Sequence, residues 1–288
     1  MSEPGRIHGA FAPVPTPIGQ GGAFDEEAFG RHLEWLAESG LAGAVVLGSN
    51  GEFPSFTLEE RRRVAAAGAA ARGRLKLVLG VGSCALGEVV EMVGEAARHG
   101  YDAVLCPPPF YFRRPSMRGL VDFFGQVLDA SAVPVVAYHI PQLTGIPIDD
   151  ELLDVIGDHP RLGGVKDSTG DPSELRRLVG RSGVRSYLVG SDRLVRAAHE
   201  AGGSGSITAA ASVVPGLVVE AARSSHGQEV LAQVRGLLEE FGLQAAVKAL
   251  LRHRGFGHYG SRPPVIGLED DPERTAELIR RFAELSPG

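Results

Sequence analysis

Short apolar runs alternate with amphipathic stretches along most of the chain. Ile7 to Phe11, Gly43-Ala44-Val45-Val46-Leu47, Leu75 to Val81, Asp102 to Cys106, Val133 to Tyr138, Leu162 to Lys166, Arg185 to Val189 and Ser204 to Thr208 are largely apolar along their length. Runs this short with no alternating polar face read as strands covered by protein on both sides. The stretches between them carry apolar residues at helical spacing. Asp25 caps one that reaches about Ser39, and Thr57-Leu58-Glu59-Glu60 is a capping box opening one that runs to about Arg72. Further helices are predicted over 87–99, 116–130, 149–157, 173–181 and 193–201.

Eight strand–helix units in succession specify the α/β class and a (β/α)8 barrel, the TIM barrel. A doubly wound sheet is the alternative. It usually carries a phosphate-cradling glycine motif after the first strand, whereas this chain has the proline-rich Ala12 to Pro17. Residues 213–225, 228–241, 244–254 and 272–285 read as helices alone. The expected organisation is a catalytic barrel over 1–225 with a C-terminal helical extension over 226–288 packed on it.

Such a barrel gathers its chemistry at the C-terminal strand ends. Those ends offer Ser49-Asn50, Phe110-Tyr111, Tyr138, Lys166, Gly190-Ser191-Asp192 and Ile207-Thr208. Lys166 stands out by type. Of 29 Lys plus Arg only three are lysines, Lys76, Lys166 and Lys248, so where charge alone is needed the chain uses arginine. A guanidinium stays protonated, whereas an ammonium in a dry site can become a nucleophile. A strand-end lysine snorkelling to solvent is the plainer explanation of the segment alone. Lys76, at the opposite barrel end, and Lys248, on a tail helix, read as structural. Tyr138, on the next strand, is a proton-transfer group or an aromatic whose hydroxyl merely finds a partner. Ser49 has no neighbouring histidine placed as a base, so it suits a proton relay or a carboxylate contact, or is a plain turn serine. Ser168 lies two residues past Lys166 and faces the same side of an extended chain.

Composition narrows the partners. A net charge of −6 with 43% hydrophobic residues and no basic stripe describes a globular protein without a nucleic-acid partner. Arg61-Arg62-Arg63 reads as a solvated helix face. Two cysteines, Cys84 and Cys106, form no disulfide framework, and the nine histidines form no metal motif, so neither metal nor cofactor is expected. Met1 to Arg6 lacks the apolar core of a signal peptide and no run reaches membrane-spanning length, so a cytoplasmic protein with no membrane partner is expected.

Gly48-Ser49-Asn50-Gly51-Glu52, Tyr138-His139-Ile140-Pro141, Gly164-Val165-Lys166-Asp167-Ser168 and Gly190-Ser191-Asp192 together resemble the dihydrodipicolinate synthase/N-acetylneuraminate lyase superfamily over essentially the whole chain. The resemblance implies a class I aldolase, commonly a homotetramer built as a dimer of dimers, acting on pyruvate and an aldehyde or 2-oxo acid. It makes Lys166 the imine-forming residue and Tyr138 the acid/base, relayed through Ser49. Tyr111 matches a tyrosine that completes the relay in a neighbouring subunit. Ser49 and Asn50 would hold the 2-oxo acid carboxylate, with Ser168, Gly190 and Ile207 also against the substrate. Synthases carry an arginine for the aldehyde's carboxylate where this chain has Leu143. With Ser49-Asn50 and Phe256-Gly257-His258-Tyr259-Gly260, this is most similar to the 4-hydroxy-2-oxoglutarate aldolase branch. The 2-keto-3-deoxy sugar acid aldolases, the synthase itself and a non-catalytic 2-oxo acid-binding barrel are the alternatives. For a second substrate carboxylate Ser168 could donate one hydrogen bond, and the strand-4 loop offers Arg114, which is otherwise a solvent-facing or interface charge.

Overall fold

A computed structural model gives the structure of residues 6–286; Met1 to Gly5, where the chain start was read for a signal segment, lie outside the described residues. The chain alternates β1 (Gly9–Pro13), α1 (Glu26–Glu38), β2 (Gly43–Val46), α2 (Leu58–Ala70), β3 (Lys76–Gly80), α3 (Leu86–Arg98), β4 (Ala103–Cys106), α4 (Met117–Ala130) and β5 (Val135–His139). It continues through α5 (Pro141–Thr144), α6 (Asp150–Ile156), β6 (Leu162–Asp167), α7 (Pro172–Leu178), β7 (Tyr187–Val189), α8 (Val195–Glu200) and β8 (Gly205–Ile207). The helices α9 (Pro215–Ala221), α10 (Ser225–Glu240), α11 (Leu243–His253) and α12 (Pro272–Leu285) follow.

All eight strands pair in parallel in chain order, and β1 closes on β8. The (β/α)8 barrel with C-terminal helices is thus the fold. Alternation along each strand sends Phe11, Val45, Val78, Val136, Leu188 and Ile207 into the barrel interior. Their strand neighbours, such as Ala44, Val46 and Ala137, pack outward against the helices. Each fully buried Val, Leu or Phe contributes about 1.5–3 kcal/mol, which is why the strands carry apolar residues on both faces. Asp25 caps α1 through Ala28 N–H, and the Thr57–Glu60 capping box starts α2 with both of its bonds made.

Three expectations are corrected. The first strand begins two residues later than its apolar run, because pairing with β8 starts at Gly9↔Gly205; Ile7 donates its N–H to Ser186 Oγ and joins the interior cluster instead. The one-turn α5, opened by Pro141 and ended by left-handed Gly145, lies where no helix was expected. Arg61 does not belong to a solvated face: it is 3% exposed, with its guanidinium 5.6 Å from the Phe53 ring centroid. Helical spacing turns one residue of the basic triplet inward while Arg62 and Arg63 stay outside. Among the described residues no helix is long and apolar enough to cross a membrane.

Candidate active site

Tyr138 and Lys166 are register partners on β5 and β6. A bulge sets that register, since Leu162 pairs with Val135 but Gly164 pairs with Val136, leaving Gly163 as the extra residue. Gly164 has φ 154°, and a Cβ there would lie 2.0 Å from the Ser186 carbonyl oxygen. A one-residue slip would turn Lys166 to the helix side of the sheet. As built, Lys166 Nζ lies 4.2 Å from the Tyr138 ring centroid, and both residues are buried.

The Tyr138 hydroxyl stands 3.4 Å from Ser49 Oγ and accepts from Ser168 Oγ at 3.5 Å. Burial opposes ionisation of the phenol. The Lys166 charge and the hydrogen bonds from Ser168 and Ser49 outweigh it, and hold the pKa below its ordinary value. A phenol so placed can give up and recover a proton within the cavity.

Ser49 and Asn50 sit on the turn after β2, where Gly51 N–H donates to Gly48 O at 3.0 Å and Glu52 N–H to Ser49 O at 3.1 Å. Leu47 and Glu52 flank this turn with φ of 57° and 54°, unusual for residues with a Cβ and typical of functional turns. Asn50 is buried, and its Nδ2 has no hydrogen-bond partner among the described residues. A buried amide left unpaired is poised for a ligand oxygen.

A cavity of about 220 Å³ is lined by Ser49, Asn50, Tyr138, Lys166, Ser168, Gly190 and Ile207, so seven predicted residues from five strand ends meet in one place. Gly190 allows this closeness, because a Cβ there would lie 2.0 Å from Ser168 Oγ. An adjoining hollow of about 290 Å³ shares Ser49 and Tyr138 and is walled mostly by apolar residues such as Phe53, Phe110 and Pro264, with Glu52, Ser55, Thr144 and Gln244 among them. Tyr111 and Arg114 line neither. Tyr111 is 76% exposed, edge-on to Phe112, and Arg114 is exposed beside them.

Leu143, the position at which the synthases carry an arginine, lines the cavity as well, and Gln142, Arg235 and Gln244 join it without having been foreseen. Gln142 and Leu143 sit on α5, whose existence the sequence reading missed. Arg235 and Gln244 come from the C-terminal helices, where nothing in an amphipathic pattern separates a cavity residue from a surface one.

Behind the strand ends lies a second polar layer. Asp167 accepts from Tyr187 Oη at 2.9 Å and Thr169 Oγ1 at 2.7 Å. His139, pointing away from the cavity as its place after Tyr138 predicts, accepts from Ile148 N–H at Nδ1, so Nε2 carries the proton facing Glu174 at 3.1 Å. These bonds fix the ends of β5 and β6 from outside. Among the described residues no group of three or more His, Cys, Asp or Glu is arranged to hold a metal.

The chain matches the model of the dihydrodipicolinate synthetase family over residues 6–280. It is 34% identical over 87% of both chains to an uncharacterized DapA-like lyase of Chloroflexus aurantiacus. It is 35% identical over 97% of both chains to a 4-hydroxy-tetrahydrodipicolinate synthase of Methylobacterium radiotolerans. In three dimensions it is similar to YagE, a prophage protein of E. coli K12 solved with pyruvate, at TM-score 0.90 and 24% identity over 97% of this chain and 98% of that one. Ruminococcus gnavus sialic acid aldolase superposes with a TM-score of 0.91 at 19% identity over 99% of this chain and 97% of that one. The chain belongs to the dihydrodipicolinate synthetase family and is a carbon–carbon lyase of the class I aldolase type.

Proposed function

We propose that the protein is a pyruvate-dependent Schiff-base aldolase that cleaves and forms 4-hydroxy-2-oxo acids, with 4-hydroxy-2-oxoglutarate as the preferred substrate. The observation that carries this is Lys166, buried in a cavity, with the Tyr138 phenol over its amine. In this proposal the barrel of residues 1–225 carries the chemistry and the extension of 226–288 roofs it.

Lys166 Nζ adds to the C2 carbonyl, and loss of water leaves a protonated imine. Tyr138, whose neighbours hold its pKa below the ordinary phenol value, takes the proton of the C4 hydroxyl. The C3–C4 electron pair moves into the imine, giving an enamine and a free aldehyde. The proton returns to C3, and water releases pyruvate from Lys166. Ser49, within reach of the phenol, passes the proton, and Asn50 Nδ2 with the Ser49 turn holds the C1 carboxylate. Tyr111 of a second copy, exposed here, would enter the apolar hollow beside Ser49 and complete the relay in a homotetramer.

Leu143 at the cavity argues against the synthase reaction, since an isobutyl group cannot pair with the carboxylate of aspartate semialdehyde. The amides of Gln142 and Gln244 favour, as a second reading, a hydroxylated 2-keto-3-deoxy sugar acid. The test is pyruvate release from a panel of 4-hydroxy-2-oxo acids. The highest kcat/KM is expected for 4-hydroxy-2-oxoglutarate; no release from any member would overturn the proposal.

A further inference from the structure

Among the described residues Arg235 is the one guanidinium that lines the Lys166 cavity. It hangs from α10, and two carboxylates fix its plane. Nη1 donates to Asp192 Oδ2 at 2.9 Å and Nε to Glu239 Oε1 at 2.8 Å. Asp192 is fully buried two residues past Gly190, and its other oxygen accepts from Ala210 N–H at 3.4 Å. Glu239 is matched a second time by Arg193 at 2.6 Å. The framework therefore sets the orientation of Arg235 before any ligand arrives. Nη2 makes no hydrogen bond to another described residue.

We propose that Arg235 is the specificity-determining residue for the end of the substrate farthest from Lys166, and that it selects a second carboxylate. The proposal rests on the aldolase reading. With C1 at the Ser49–Asn50 turn and C2 on Lys166, the far end of a five-carbon dicarboxylic acid needs a donor in the same cavity, because an unpaired carboxylate there is strongly disfavoured. Leu143 is apolar, and Gln142 Nε2 already donates to Ser168 O at 2.6 Å. Arg114 is exposed and outside the cavity. Nη2 of Arg235 offers a charge-assisted donor on a side chain already held in place, so little rotamer freedom is lost on binding.

Borohydride trapping of 2-oxo acids on the full chain tests this without requiring turnover. The probes are 2-oxoglutarate, 2-oxopentanoate of the same length without the second carboxylate, and pyruvate as internal reference. Half-trapping concentrations are compared within each variant, so the fraction folded cancels. The wild type should prefer 2-oxoglutarate to 2-oxopentanoate by about 10- to 100-fold, the worth of one charged hydrogen bond, and Arg235→Met should erase the preference. Should Arg235→Met fail to fold around an unpaired Asp192, D192N/R235M removes both charges and should show the same loss. An unchanged preference, or losses for 2-oxoglutarate and pyruvate in step, would overturn the role of Arg235. A preference that vanishes with Arg235, in a protein that releases no pyruvate from 4-hydroxy-2-oxoglutarate, would uphold Arg235 and overturn the aldol substrate instead.

Discussion

Lys248 Nζ and a carboxylate oxygen of Glu52 lie 2.6 Å apart, both withdrawn from solvent. Glu52 ends the turn that carries Ser49 and Asn50, and Lys248 sits on α11 of the C-terminal extension. Lys248 also donates to Gly260 O at 2.9 Å, so one ammonium ties the turn to two parts of the tail. Burial raises the pKa of Glu52 and lowers that of Lys248, and each opposes the shift of the other. Removing one member of such a pair strands a buried charge, at about 3–5 kcal/mol, whereas replacing both by neutral groups is far milder.

Lys248→Met should therefore lower stability by about that amount in urea unfolding. It should also raise the pyruvate concentration needed for half-trapping, because the carboxylate-binding turn loses its anchor. The double variant E52Q/K248M should recover most of both. A stability loss with unchanged trapping would confine the pair to a structural role.

Tyr138→Phe should slow turnover by about 10²- to 10⁴-fold, the range for losing a positioned proton-transfer group. Imine formation with pyruvate should persist, since Lys166 keeps its place on β6. Turnover at the wild-type rate would reduce Tyr138 to packing.

Condensation of pyruvate with aspartate semialdehyde should be slow or absent, because the cavity has Leu143 at the position where the synthases this chain resembles carry an arginine. Robust condensation in that assay would restore the synthase reading.

His32 predicts a pH dependence of stability. It is fully buried between Ser212 O, at 3.0 Å from Nε2, and the Tyr259 hydroxyl, at 3.2 Å from Nδ1. Burial, opposed by the Ser212 bond and aided by the Arg254 charge, lowers its pKa from 6.5 to about 4. Between those values the unfolded chain binds a proton that the folded chain refuses. His32 thus takes away about 3 kcal/mol of stability as the pH falls from 7 to 4. Thermal unfolding across that range should show the loss, and His32→Gln should flatten the slope. An equal slope in both proteins would place the acid sensitivity elsewhere.

Much of this was legible in the chain. Both-face apolar runs, the Thr57 capping box and the all-helical tail specify the barrel and its extension because burial on both sheet faces leaves a periodicity that can be read locally. Lys166 stood out because lysine is rare here and this one ends a buried strand. Ser168 followed from strand alternation. What escaped was set by tertiary contact. Arg61 reads as one of three surface arginines until α2 packs it against Phe53. Arg235 reads as a solvent-facing helix charge until the extension folds over the barrel mouth and brings it to a cavity built 45 residues earlier around Gly190. The exact strand starts depended on partners, as β1 shows by beginning where β8 can pair with it.

The central claim is that Lys166 forms an imine with a 2-oxo acid. Incubation with pyruvate and borohydride, digestion and mass spectrometry would test it, since reduction of an imine leaves a stable secondary amine. The predicted result is a single adduct on the peptide holding Lys166, absent from both Lys166→Ala and Lys166→Arg, because a guanidinium keeps its proton at working pH. An adduct on Lys76 or Lys248, or no adduct, would contradict the mechanism.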